Sequence, residues 1–218
     1  MDTDRPLDEG KRTAYRAIVA RGNYLSPDRP DIAYAIKELA RGMSAPTQGD
    51  WCRLKRLARY LKGKPRVVHK FRWQSHMDRL TIFSDADWAG DKESRKSTSG
   101  GCIMMGRHLI KGWAKTQTLV ALSSGESELY ATLRAASEGL GIQSVAQDLG
   151  IELQGEVWGD ASAALGIIKR RGLGKTRHID TGFLWIQQTA AEKRLKFGKV
   201  LGLSLIHISE PTRQEAIS

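Results

Sequence analysis

The sequence predicts an α/β fold, a mixed sheet with packed helices, preceded by a small helical segment. Three observations predict it. Apolar residues recur at three- and four-residue steps through the first 75 positions. After Pro65, short strand-type apolar runs alternate with helical stretches. Their order is hairpin strands, helix, strand, helix, helix, strand, which requires an antiparallel portion joined to crossover connections.

In the first segment, "TAYRAIVARGNYL" (13–25) and "DIAYAIKELARGM" (31–43) are amphipathic, the second through Ile32, Ile36, Leu39 and Met43. "SPDRP", with two prolines, separates them. A third helix begins after "SAPT" with Trp51, Leu54, Ala58 and Leu61 on one side, and "KGKP" stops it. Lys55, Arg59 and Lys62 recur on its other side. That stripe is either a solvated face or a contact for a polyanion.

The second segment opens with a strand at 80–85, and "GCIMMGRHLIKGWA" (101–114) is a hairpin with Arg107 and His108 near its turn. A long helix spans Ser124 to Leu149. "GEVWGD" (155–160) is a short strand and "ASAALGIIKR" a short helix. A further helix runs from near Asp180 through "TGFLWIQQTAAEK", and "RLKFGKV" (194–200) is a last strand. The expected organisation is a helical region at 1–75, an α/β domain at 76–201, and a tail at 202–218.

Composition narrows the function. Among 218 residues, 40% are hydrophobic and 27% charged, the balance of a globular chain. No run reaches the roughly 18 apolar residues a membrane helix needs, so no membrane partner is expected. "MDTDRPLDEGKR" lacks a signal-peptide core. Cys52 and Cys102 are too few for a disulfide framework or a zinc site, and the expected setting is intracellular. The net charge of +11 is concentrated early, with 17 Lys and Arg against 8 Asp and Glu in residues 1–75. A polyanion is the partner such asymmetry suggests.

The carboxylates sharpen the expectation. "SDADWAGD" (84–91) sets three aspartates directly after an apolar run. Two unit charges 4 Å apart repel by roughly 4 kcal/mol at an effective dielectric near 20, so the cluster is solvated or holds a cation. Asp85 lies nearest the strand, with Asp87 and Asp91 expected in the following loop. Glu126 and Glu128 point about 200° apart around their helix. Ser123 and Glu126 fit a capping box. Glu128 shares its face with Ala131, Thr132, Ala135 and Gly139, a small-residue stripe that presses the helix to the sheet. A bare carboxylate there is costly unless paired or metal-bound. Asp160, at a strand end, is either an N-cap or a ligand, and Asp180 in "RHID" invites the same choice. If the two strands are neighbours, Asp85, Glu128 and Asp160 converge. Oxygen donors without His or Cys suit Mg²⁺ or Mn²⁺, held as two ions for in-line phosphoryl displacement.

At these residues the chain resembles the C-terminal end of copia-type LTR retrotransposon Pol polyproteins. "SDADWAGD…RKSTSGG" resembles that family's first RNase H motif and following loop, the latter holding Arg95 and Lys96. "LVALSSGESELYA" is similar to its helix motif, "VWGDASAAL" to its third-acid motif, and "GKTRHIDTGFLWIQQ" to its His-Ile-Asp helix. Residues 15–65 resemble the last helical part of a reverse transcriptase. The resemblance covers about residues 13–201. It implies an RNase H-like mixed sheet, a preceding reverse-transcriptase remnant, cleavage of RNA in RNA·DNA hybrids, and linkage to the rest of Pol. The implied location is a cytoplasmic virus-like particle or the nucleus. Asp85, Glu128 and Asp160 match the first three metal-binding acids, with Asp180 a further candidate ligand. Lys55, Arg59, Lys62, Arg95 and Lys96 are the expected nucleic-acid contacts. The acid order Asp, Glu, Asp differs from the Asp, Asp, Glu of transposases and integrases.

Three departures stand out. The polymerase palm with its paired aspartates is missing from this sequence, so DNA synthesis is not expected of it. Asp160-Ala161-Ser162 stands where the family usually has Asp-Asn-Gln. The family's Ala-Asp-x-x-Thr-Lys-like helix with a fourth acid is replaced by "LSLIHISEPTRQEAIS", which resembles translated adaptor or vector sequence.

Overall fold

A computed structural model describes residues 3–75, 78–91, 94–172 and 184–200. The chain divides into two compact units, with the boundary between Phe71 and Arg72.

The first unit is three helices: α1 (Glu9–Leu25), α2 (Pro30–Arg41) and α3 (Gln48–Gly63). Asp8 caps α1 by accepting from the Lys11 amide, and Pro30 opens α2 where a missing N–H costs nothing. Thr47 and Asp50 form a reciprocal capping box on α3. Tyr15, Val19, Ile32, Ile36, Leu39 and Leu54 fill the core, with the Tyr15 hydroxyl donating to the Leu39 carbonyl at 2.6 Å. The buried face of α3 is set by Leu54 and Leu57, whereas Ala58 is exposed. The expected stripe through Ala58 was thus turned by one residue, because the larger Leu57 buries more apolar surface.

The second unit is a five-stranded mixed sheet with packed helices, the RNase H-like arrangement. Its strands are β1 (Arg79–Asp87), β2 (Thr98–Met105), β3 (His108–Thr116), β4 (Gln154–Gly159) and β5 (Leu195–Lys199). Their order is β3-β2-β1-β4-β5. β1 to β3 pair antiparallel, whereas β4 runs parallel to β1 and β5 parallel to β4. The parallel pairs need crossovers, supplied by α4 (Ser124–Asp148) before β4, and by α5 (Ser162–Lys169) and α6 (Trp185–Ala191) before β5. The start expected for the last helix, near Asp180, lies outside the described residues, as does the tail at 202–218.

Alternation along β1 buries Leu80, Ile82 and Ser84 completely. α4 lies close on this sheet because Gly139 carries no side chain. A Cβ there would collide with the Ile82 Cδ1 atom. Full burial of a side chain such as Ile82 contributes about 1.5–3 kcal/mol. Among the described residues no helix is long and apolar enough to cross a membrane.

Candidate metal centre

The site is assembled from two neighbouring strand ends and one helix. β1 and β4 are in parallel register from Arg79 opposite Gln154 to Phe83 opposite Trp158. Two steps further along the same register, Asp85 comes level with Asp160. α4 crosses above and delivers Glu128. One carboxylate oxygen from each of Asp85, Glu128 and Asp160 lies within 4.8 Å of the others. The three differ in environment: Glu128 is buried, Asp160 half-buried and Asp85 exposed.

Glu128 is held from several directions. The Ala86 amide donates to its Oε1 at 3.1 Å. Thr132 Oγ1 donates to the Glu128 carbonyl at 2.8 Å and lies 3.4 Å from Ser84 Oγ on β1, so a polar pair underlies the acid. The other carboxylate oxygen, Oε2, is buried and has no hydrogen-bond partner among the described residues. Burial, then the charges of Asp160 and Asp85, push the Glu128 carboxyl up to about 8, against the pull of the Ala86 amide. Asp85, exposed as a residue, is raised as well, first by desolvation of its carboxyl within the cluster and then by Asp160 and Asp87, again opposed by the Ala86 amide.

These residues fit a divalent cation. Three oxygen donors of like charge within 4.8 Å repel by roughly 3–4 kcal/mol per ionised pair at an effective dielectric near 20. A cation removes that repulsion and gives the orphaned Glu128 Oε2 a partner. Hard carboxylate oxygens are the donors Mg²⁺ and Mn²⁺ take.

The remaining acids have other employment. Glu126 starts α4 outside the cluster: its amide donates to Ser123 Oγ at 3.2 Å, while its Oε2 accepts from the Leu122 amide at 2.9 Å and its Oε1 from the Tyr130 hydroxyl at 2.7 Å. The carboxylate thus takes the Leu122 amide, one residue before the Ser123 amide that a capping box predicts. Asp87 ends β1, which is longer than the expected 80–85, so it belongs to the strand and not to the loop. Pairing of β2 as far as Thr98 opposite Asp87 extends it. Asp91 closes its loop, accepting from Ser94 Oγ. Asp160 is not an N-cap, since Ala161 occupies that position of α5. Asp180 lies outside the described residues.

Lys55, Arg59 and Lys62 are exposed along α3 in the first unit. In the second unit Arg95 is exposed with φ of 56°, and Lys96 is half-buried. Two polar features near the carboxylates had no signal in the sequence. One is the Ser84–Thr132 pair. The other is Gln117, buried at the end of β3, whose Nε2 donates to Ser99 Oγ at 2.9 Å and the Ser127 carbonyl at 2.8 Å. Both depend on cross-element register that periodicity does not encode.

No family model matches the chain. It is 40% identical over 142 residues to the retrovirus-related Pol polyprotein from transposon RE2 of Arabidopsis thaliana, a match covering 65% of this chain and 10% of that protein. It is 30% identical over 174 residues to that from transposon TNT 1-94 of Nicotiana tabacum, covering 79% of this chain and 13% of that protein. A 129-residue stretch is 38% identical to secreted RxLR effector protein 161 of Plasmopara viticola, covering 59% of this chain and 90% of that protein. The chain therefore spans about a tenth of the length of the polyproteins from transposons RE1 and RE2. Among solved structures, the foamy viral protease-reverse transcriptase dRH in complex with double-stranded DNA aligns with TM-score 0.56 and 15% identity, over 92% of this chain and 36% of that one. LC11-RNase H1, isolated from compost, aligns with TM-score 0.42 and 15% identity, over 65% of this chain and 100% of that one.

Proposed function

We propose that this chain, which belongs with the retrovirus-related Pol polyproteins of transposons, is a copia-type ribonuclease H segment that hydrolyses RNA in RNA·DNA hybrids with two Mg²⁺ or Mn²⁺ ions. The observation that carries this reading is the meeting of Asp85, Glu128 and Asp160 within 4.8 Å around a buried, unbonded Glu128 oxygen. Bound divalent ions supply an activated water and neutralise charge at the leaving oxygen.

The chain's own residues have separable tasks. Asp85 and Asp160 offer ligand oxygens from adjacent strand ends, where the sheet fixes their spacing. Glu128 offers Oε2 while the Ala86 amide keeps Oε1 in place. The absence of a side chain at Gly139 lets α4 lie close on β1 at Ile82. Lys55, Arg59, Lys62, Arg95 and Lys96 neutralise phosphates of the hybrid and supply affinity without base specificity.

Cleavage by this chain is weak on the same reading. In-line attack requires both ions to be held, and the sequence after β5 carries no Ala-Asp-x-x-Thr-Lys-like segment. The test is hybrid cleavage across a range of Mg²⁺ and Mn²⁺, with Asp85→Asn as control, before and after such a segment is added. Weak cleavage, its loss in Asp85→Asn and a gain on addition are expected. Full activity without addition, lost in Asp180→Asn, would make Asp180 the fourth ligand. Hybrid binding with no cleavage from either chain would replace the enzyme reading with that of a non-catalytic nucleic-acid-binding remnant.

A further inference from the structure

We propose that Trp73, with Arg72 and Arg107, forms a second nucleic-acid contact, one that takes the single-stranded chain leaving a hybrid. The inference rests on the hybrid-binding reading above and concerns a different surface.

Trp73 is 92% exposed, yet the residues on both sides of it are fastened to the turn of the β2–β3 hairpin. Gln74 Nε2 donates to the Met105 carbonyl at 2.9 Å, and Gln74 Oε1 accepts from the Arg107 amide at 3.0 Å. His108 Nε2 lies 2.8 Å from the Arg72 carbonyl, and its Nδ1 lies 3.1 Å from Gln74 Nε2. One tautomer satisfies both contacts: Nε2–H donates to the carbonyl while Nδ1 accepts from the amide. Gly106 makes the latch possible. Its φ of 59° suits glycine, and a Cβ there would collide with Gln74 Oε1. The backbone around Trp73 is thus held by the latch, and the large apolar indole is left in water. Aromatic surface presented in an ordered backbone binds at reduced entropic cost.

The chemistry beside it selects the occupant. Arg72 and Arg107 are both exposed and sit on the two latched segments. The acid that follows in sequence, Asp78, faces Arg79 at 3.9 Å. An indole next in sequence to Arg72, on a segment latched to the one that carries Arg107, in a chain of net charge +11, suits a polyanion with planar groups. Bases stack on such a platform only where they are not enclosed in a duplex. The position fits an unpaired strand. Along β2, the strand ends at Met105, five residues past Gly100, the partner of Asp85, which is about 17 Å at strand rise. That distance corresponds to about five base pairs at 3.4 Å each.

The experiment measures binding by fluorescence anisotropy, without divalent ions, to a blunt hybrid and to the same hybrid with a short single-stranded extension. The wild-type chain should prefer the extended hybrid. Trp73→Ala should lose about 5- to 150-fold on it, keep its affinity for the blunt one and keep its melting temperature, because the side chain is exposed. Trp73→Phe should recover much of the loss. Replacing Arg72 and Arg107 together by Ala should lower the log–log salt slope on the extended hybrid by about 1.4. An extension that adds nothing to wild-type affinity, or a Trp73→Ala loss equal on both substrates, overturns the proposal and leaves the indole to a protein partner. Cleavage is scored separately. A chain that cuts hybrid but ignores the extension refutes this inference alone, and one that binds the extension through Trp73 but never cuts refutes the enzyme reading alone.

Discussion

Each unit of the chain buries a carboxylate, and the two are treated in opposite ways. Asp31 in the helical unit is 7% exposed at its side chain and is answered from within the protein. Arg29 meets it with two hydrogen bonds, Nη2 at 2.7 Å and Nε at 2.9 Å, and the Tyr60 hydroxyl adds a third at 2.8 Å. Arg29 then reaches the Lys64 carbonyl at 3.0 Å and ties down the end of α3. Burial alone would raise Asp31, but Arg29 and Tyr60 outweigh it and hold the carboxyl below its ordinary value. Glu128 in the α/β unit is 8% exposed, has two acids for neighbours, and has one oxygen unbonded among the described residues. A closed charge network is structure. An open one marks a candidate functional site.

The sharpest way to break this comparison is to remove the partner where there is one. Arg29→Met strands Asp31 in the core of the helical unit. Loss of one member of a buried pair typically costs about 3–5 kcal/mol. Chemical denaturation should show that loss, and a change below about 1 kcal/mol would mean that water already reaches Asp31.

The corresponding change at Glu128 should have the reverse sign for stability. Glu128→Gln removes an acid whose charge has, among the described residues, only the Ala86 amide to offset it, so at pH 8 the metal-free protein should unfold at higher denaturant. The same variant should lose about 100- to 1,000-fold in hybrid cleavage, the range seen when one preorganised electrostatic group is deleted. Stability gained as activity is lost is the mark of a strained functional group. If the variant is both less stable and fully active, Glu128 is a structural acid.

How much of this was legible beforehand follows from what periodicity encodes. Helix and strand periods marked out the elements, and the small stripe on α4 marked Glu128 as an acid carried toward the sheet, although Glu126 is buried as well. Local chemistry was harder to place. The reciprocal capping box is at Thr47 and Asp50, whereas Glu126 serves the Leu122 amide. The end of β1 lies beyond the expected Asp85 because Ala86-Asp87 reads as loop, although pairing with β2 holds it extended. Arg29 looked like part of a proline turn, and only the fold brings Tyr60 and the end of α3 to it. The Gln74 latch was invisible for the same reason: its partners are more than thirty residues away.

The two carboxylates also predict opposite responses to pH. Asp31 has a folded pKa below its ordinary 3.8, so its contribution is present above that value and lost as pH falls through the lower folded one. Glu128 is raised from 4.5 to about 8. Its contribution is therefore full below 4.5 and is lost as pH rises to about 8, because the folded state holds the proton more tightly there. Metal-free stability should decline across that window by on the order of 2 kcal/mol after allowance for solvent screening. Glu128→Gln should flatten the decline. Saturating Mg²⁺ should offset it at pH 8 and have little effect at pH 5. A decline unchanged in the variant would assign it to other groups.

The smallest effect separates the units by their affinity for nucleic acid. Lys55, Arg59 and Lys62 are exposed on one helix and, among the described residues, engage in no ion pair, in contrast to Arg53, which pairs with Asp50 at 3.1 Å. Unpaired cations on a rigid helix release counterions when they meet phosphates, and each contact contributes about 0.7–0.9 to the log–log salt slope. Replacing all three by Ala should flatten the slope for hybrid binding by about 2–2.7. In the α/β unit, Arg95→Ala should flatten it by no more than about 0.9. The ratio matters more than either value. A larger loss from Arg95 would move the main phosphate track onto the sheet beside the carboxylates. An unchanged slope in the triple variant would reduce the α3 stripe to an ordinary solvated face, whose three charges keep the helix soluble and touch nothing.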